Sequence, residues 1–157
     1  GHNQVAARLA YDAAAQCGLS DEEIRKAIAT FPGVEGRLQD LGLFGGSKNI
    51  RVFNDNNATT GDATIAAIDA INEPYNHKCI WVGIKKCIFL EGTGTARLNL
   101  PKDHLYETLP QCLEKAFEIA REDDIILFSP AFASFSKYFN NEYEKNDAFL
   151  EAVKKYA

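Results

Sequence analysis

Four short runs, Ile50-Arg51-Val52-Phe53, Lys78-Cys79-Ile80-Trp81-Val82, Lys86-Cys87-Ile88-Phe89-Leu90 and Ile125-Ile126-Leu127-Phe128, do most to limit the folds open to this chain. They are rich in β-branched and aromatic residues and lack strict alternation, the pattern of parallel strands covered by helices on both faces. Helical spacing fills the intervals: Ile65, Ile68 and Ile71 near 62–72, then Leu113, Ala116, Phe117 and Ala120 from Pro110 to Ala120. A last helix ending near Tyr156 should bury Phe149, Leu150 and Val153. The expected fold class is α/β, a Rossmann-like, mostly parallel sheet with helices on both faces, preceded by two helices.

Those two leading helices follow from local signals. Val5, Leu9, Ala13 and Ala14 fall at helical spacing within 4–17, and Gly18 is placed to stop the helix. Ser20-Asp21-Glu22-Glu23 reads as a capping box, followed by an apolar face of Ile24, Ala27, Ile28 and Phe31. Pro32-Gly33 ends it, and the strand–helix alternation begins beyond that point. The segment from Arg37 to Phe53 reads as a hairpin, with Arg37–Leu41 and Ile50–Phe53 as strands and a glycine-rich turn from Gly42 to Gly46.

Each expected strand ends in small or polar residues. In a parallel sheet this gathers Asn54-Asp55, Gly83, Glu91-Gly92-Thr93-Gly94 and Ser129 to Ser134 along one edge, where ligands bind. The loop Asn54 to Thr60 is nearly all side-chain amide and oxygen. It suits hydrogen bonding to a ligand, with Asp62 or Thr60 capping a helix whose free N–H groups favour an anion. Turn and cap formation alone explains the same residues. One junction conflicts with a wholly parallel sheet, because only Gly83-Ile84-Lys85 separates two strands that would need a crossover of a dozen or more residues. Either a loop and helix are missing there, or the pair is antiparallel with a very tight turn.

Composition excludes other classes. The chain of 157 residues carries a net charge of −5 with its basic residues scattered, which argues against nucleic-acid binding. No apolar run is long enough for a bilayer and no secretory leader is visible, so no membrane association and a cytoplasmic location are expected. Cys17, Cys79, Cys87 and Cys112 show no C-x-x-C spacing and read as reduced, partly buried thiols; His2, His77 and His104 give no zinc pattern. The chain starts Gly-His-Asn and has no methionine, so it reads as part of something longer, or as one whose methionines have dropped out of the sequence.

Four ordered motifs carry a resemblance: Gly1-His2-Asn3, Phe31-Pro32-Gly33-Val34-Glu35-Gly36-Arg37-Leu38-Gln39, Asn54-Asp55-Asn56-Asn57-Ala58-Thr59-Thr60 and Ser129-Pro130-Ala131-Phe132-Ala133-Ser134-Phe135. In this order and spacing the chain resembles the C-terminal part of the Mur ligase family, most closely its D-glutamate-adding, MurD-like branch. The resemblance implies that 1–33 are the last helices of a central ATP-binding domain and 34–157 the C-terminal amino-acid-binding domain. It also implies ATP-driven amide formation, in which a carboxylate of UDP-N-acetylmuramoyl-L-alanine is phosphorylated and then attacked by the amine of D-glutamate. Arg37 would face the γ-phosphate as the catalytic residue. Asn3 would read adenine and Asp55 the ribose, while Thr59, Ser134 and the backbone of Phe135 would hold the amino-acid carboxylates. ATP is then the co-substrate, and Mg²⁺ belongs to the complete enzyme with its ligands outside this chain. No metal site is expected here; the partners are the rest of the protein's own chain and small molecules, and a monomer is expected.

The chain departs from the family at several points. Asn56-Asn57 replaces Ser-Lys and removes a positive charge, Gly36 replaces a histidine, and Ala6 falls where a second adenine-reading asparagine is usual. A family lysine just after the strand ending at Gly83 is also absent. Lys85 and Lys86 look like the tail of a helix and do not replace it. The other readings are a sister ligase or folylpolyglutamate synthase, or a ligand-binding module without ligase chemistry; an upstream Gly-x-x-Gly-Lys-[Ser/Thr] loop would favour an enzyme.

Overall fold

The computed structural model describes residues 2–72, 84–92, 95–131 and 138–157, with the side chains of 2–4 and 72 outside that description. It forms two compact units, Gly1–Gly33 and Val34–Ala157.

The first unit is a helix pair, α1 (His2–Gln16) and α2 (Asp21–Ala29). The capping box forms as expected: the Ser20 hydroxyl accepts from the Glu23 amide, and the Glu23 carboxylate accepts from the Ser20 amide. Asp21 ties the pair together, accepting from the Tyr11 hydroxyl and from Arg25, whose guanidinium lies over the Tyr11 ring. The expected apolar face is only partly buried. Ile24 is 4% exposed, but Val5, Leu9, Ile28 and Phe31 are exposed, because two helices can bury only the stripe along which they meet.

The second unit is built on a three-stranded sheet in the order β1 (Gln39–Phe44), β2 (Ile50–Asn54) and β5 (Ile125–Phe128). β1 and β2 are antiparallel, and β2 and β5 are parallel, pairing Arg51 with Ile125 through to Asn54 with Phe128. The hairpin is present, but its first strand lies further along the chain than expected. Gly42 sits inside β1 at a bulge, with φ +94° and its amide donating to Asp40, so the strand runs on to Phe44. The turn to β2 then passes through Gly45 to Asn49, and its Lys48 ammonium caps the C-terminal carbonyls at Phe117 and Ala120 of a later helix, Leu109–Ile119.

α3 (Gly61–Asn72) follows β2, capped by Thr60, whose hydroxyl accepts from the Ala63 amide; of the two expected caps, Thr60 takes the role. Ala67 and Ile71 are buried, whereas Ile65 is exposed. The expected strand at Lys78–Val82, and Gly83 after it, lie outside the described residues. The expected strand from Lys86 shrinks to β3 (Phe89–Leu90), which pairs in parallel with a further strand, β4 (Leu105–Tyr106), in a separate two-stranded sheet. A two-residue strand exists only through its partner, and Leu105-Tyr106 carries no local strand signal of its own. Glu91-Gly92 therefore does not join the edge formed by β2 and β5.

α4 (Leu109–Ile119) and α5 (Glu142–Lys154) cover one face of the main sheet. The core joins Ile50 and Val52 of β2 to Leu113 and Phe117 of α4 and to Phe149 and Val153 of α5. Two stacked ring pairs lock it, Phe128 on Phe149 at 4.2 Å and Phe117 on Tyr156 at 3.9 Å. Burial along β2 alternates, with Ile50, Val52 and Asn54 buried and Arg51 and Phe53 half-buried, so this strand is packed mainly on the α4/α5 side. Cys17 and Cys87 are exposed free thiols, contrary to the partly buried state expected; Cys112 is half-buried, and burial pushes its thiol up to about 11.

Candidate functional site

The parallel pairing of β2 and β5 brings their C-terminal ends together. The Asp55 amide donates to the Phe128 carbonyl at 2.8 Å, and the Ser129 hydroxyl donates to Asp55 Oδ2 at 3.0 Å. Ser129 in turn shares a 2.8 Å hydrogen bond with Thr64 in the first turn of α3. Asp55 Oδ1 accepts the Leu38 amide at 3.0 Å, so one buried carboxylate links both strand ends to the segment before β1. Burial pushes this carboxyl above the usual carboxylate range; the Leu38 and Ser129 donors and the Arg37 charge pull the other way.

That segment is a tight turn. The Arg37 amide donates to the Val34 carbonyl at 3.0 Å, with Glu35 and Gly36 between them. Gly36 has φ +69°, and a Cβ added there would stand 3.1 Å from Asn57 Oδ1 and 3.4 Å from Asn146 Oδ1. Both the left-handed backbone and the crowding favour glycine here. Leu38 also has a positive φ, 44°, a conformation that a branched side chain resists and that the bond to Asp55 helps to hold. Arg37 itself is exposed.

Carboxamides hold the turn in place. Asn57 donates its amide to the Gly36 carbonyl at 2.8 Å and its side-chain Nδ2 to the Glu35 carbonyl at 3.0 Å. Gln39 Oε1 accepts from the Gly36 amide at 3.1 Å and from Asn54 Nδ2 at 3.2 Å. Asn54 Nδ2 also donates to Asn146 Oδ1 at 2.8 Å, and Asn146 Nδ2 donates to Glu35 Oε1 at 2.9 Å. Asn56 donates to the Glu142 carbonyl at 3.0 Å, which fastens the first turn of α5 to the same loop.

The structure thus ties Asp55 to the residue after Arg37, through the Leu38 amide, and leaves Thr59 exposed four residues further on. Asn3 lies in α1 of the other unit with its side chain undescribed, and Ser134 and Phe135 lie outside the described residues. Lys85 pairs with Asp124 and Lys86 with Asp103, so both are engaged elsewhere. Gln39, Asn146 and Ser129 join the site without having been singled out as site residues from the sequence. For Gln39 and Ser129 the signal was their place inside two of the four motifs, but nothing local marks Asn146. Among the described residues no group of three or more His, Cys, Asp or Glu is arranged to hold a metal ion, and no helix is long and apolar enough to cross a membrane.

Lys145, next to Asn146, is 5% exposed and its ammonium has no hydrogen-bond partner among the described residues; Asn56 Oδ1 is likewise buried without a donor among them. Burial lowers the lysine's pKa and the Glu142 carboxylate offsets this in part. Lys145 holds its proton less well folded than unfolded. Its contribution to stability therefore improves as pH rises from the folded value toward the ordinary lysine value of about 10.4. Lys145→Met is expected to raise stability at pH 7 by about 1–3 kcal/mol and to remove that part of the pH dependence. Urea denaturation at pH 7 and at alkaline pH checks both; a variant less stable than the parent would contradict the reading.

Val34–Ala157 is thus a Rossmann-like α/β unit whose parallel strand ends carry a cluster of polar side chains and a clamped arginine turn. No family model matches the chain. It is, however, 29% identical over 97% of its length to a UDP-N-acetylmuramoylalanine–D-glutamate ligase of Lacticaseibacillus paracasei, covering 37% of that protein. The corresponding ligase of Thermoanaerobacter sp. is 32% identical over 97% of this chain and 38% of its own length, and that of Hydrogenobaculum sp. 34% over 99% and 41%. The chain is a MurD-like segment, and it spans less than half the length of these curated relatives. The matches extend over 175 to 178 positions against 157 residues here, so the relatives carry residues in this span that have no counterpart in the chain.

Proposed function

We propose that the protein to which this chain belongs is an ATP-dependent acid–amino-acid ligase that joins D-glutamate to UDP-N-acetylmuramoyl-L-alanine through an acyl phosphate, in cytoplasmic peptidoglycan precursor synthesis. The observation that carries this reading is the match, along almost the whole chain, to ligases bearing that name. The four motifs in order, and the bond from Asp55 at the strand end to the amide of the residue after Arg37, agree with it.

On this reading residues 1–33 close a central ATP-binding domain and 34–157 form the amino-acid-binding domain. Arg37, fixed on its turn but exposed, stabilises charge developing at the γ-phosphate. Asp55 uses two of its roughly four accepting positions inside the protein, and the remainder are left for the ATP ribose. Asn3 reads adenine, while Thr59, Ser134 and the Phe135 backbone hold the D-glutamate carboxylates. Mg²⁺ acts in the complete enzyme on ligands outside this chain, and the enzyme works as a monomer.

The test is kinetic, on the full-length protein. Phosphate release should require both UDP-N-acetylmuramoyl-L-alanine and D-glutamate; equal turnover with L-lysine or a folate would move the assignment to a sister ligase. Thr59→Ala and Ser134→Ala should each raise KM for the amino acid more than for ATP, by about 1–3 kcal/mol. If both variants left that KM unchanged, the D-glutamate contacts would be misassigned.

A further inference from the structure

We propose that Asn57 is a positioning residue for Arg37, its carboxamide replacing the lysine usual at this place with a clamp on the turn that aims the guanidinium. This assignment rests on the proposed ligase function, because it takes Arg37 to act on the phosphoryl group.

The geometry is specific. The Asn57 side-chain Nδ2 donates to the Glu35 carbonyl at 3.0 Å and its backbone amide to the next carbonyl, Gly36, at 2.8 Å, so directly before Arg37 the carboxamide adds a second tie to one that the backbone makes whatever the side chain. A turn held at two adjacent peptide units cannot rotate about the bond between them without breaking one of the pair. Asn57 Oδ1 lies 3.1 Å from where a Cβ at position 36 would be, so the carboxamide fills the space left by the missing side chain. Asn56 donates weakly to that same oxygen, at 3.5 Å. The departures at 36, 56 and 57 therefore form one packed unit, in which glycine at 36 makes room for the asparagines. A lysine at 57 would bring charge but could not offer the planar amide that sits beneath Gly36.

Asn57 touches no reacting atom in this scheme; its effect passes through the backbone to Arg37. Its loss should lower kcat with little change in KM, since a misaimed guanidinium costs transition-state contact more than substrate binding.

A double-mutant cycle on the full-length protein tests this, with Asn57→Ala, Arg37→Ala and both together, read as substrate-dependent phosphate release. Asn57→Ala should lower kcat by about tenfold to a hundredfold, with each KM changed less than about threefold. In the Arg37→Ala background it should lower kcat no further. Asn57→Ser, a smaller perturbation, should fall between the parent and Asn57→Ala. Hydrogen exchange gives a readout independent of activity: the Arg37 and Leu38 amides should exchange at least about tenfold faster in Asn57→Ala. Unchanged exchange, or a loss of kcat that multiplies that of Arg37→Ala, would overturn the positioning role alone. A silent Arg37→Ala would overturn the ligase reading of Arg37, and this role with it.

Discussion

Asn54→Ala is expected to lower the stability of the chain by about 3–5 kcal/mol, since it leaves two buried groups without partners. The side chain is fully buried and makes three hydrogen bonds: Nδ2 donates to Gln39 and Asn146, and Oδ1 accepts from the Asn56 amide. Gln39 Oε1 keeps its bond from Gly36, but Asn146 Oδ1 and the Asn56 amide have no other partner among the described residues. Each orphaned group costs roughly 1–3 kcal/mol, and the absent carboxamide leaves a void besides. Urea denaturation with an unchanged m-value would measure this; a loss below about 1 kcal/mol would mean that water takes over both bonds.

The second large effect lies in the apolar core. Phe149 is fully buried, stacks on Phe128 at 4.2 Å and joins α5 to the end of β5, so Phe149→Ala should cost about 3–5 kcal/mol. Its consequences reach the site, because Phe149 lies on the helix face that also carries Asn146 and Lys145. Loosening α5 would pull Asn146 from Glu35 and Asn54. Phe149→Leu keeps most of the buried area and should lose less than half as much. Thermal unfolding of the two variants side by side separates the volume lost from the ring contact; equal losses would show that stacking, and not volume, dominates.

Legibility from the sequence divides according to how far apart the deciding residues stand. The capping box at Ser20 and Glu23, the strand Ile125–Phe128 and the α4 stripe of Leu113 and Phe117 were readable, because each is set by neighbours within a turn or a run. The edge joining Asn54-Asp55 to Ser129 was readable too, since parallel pairing places strand ends together. β1 was displaced because Gly42 reads equally well as a turn or as a bulge, and the choice depends on pairing with Val52. Exposure of Ile28 and Phe31 was not readable, since a helical stripe says that a face is apolar and not what covers it. Least legible was the carboxamide set: Asn54 and Asn146 are separated by 92 residues, and an asparagine run looks like a turn until its distant partner is known. Lys145 was hidden similarly, because a charged residue in a helix is read as solvent-facing by default.

The links among Gln39, Asn54, Asn57 and Asn146 carry no net charge. A cradle of this kind neither titrates across the physiological pH range nor weakens as counterions accumulate, unlike one built on lysine and carboxylate pairs. The contacts that these carboxamides make to the turn of Arg37 are therefore insulated from the ionic conditions around it, whereas the Asp55 and Glu35 carboxylates that also hold the turn are not. Those conditions act on the guanidinium's own attraction for an anion and on these two carboxylates, so that strength of capture and direction of aim are controlled in part by separate groups of the molecule.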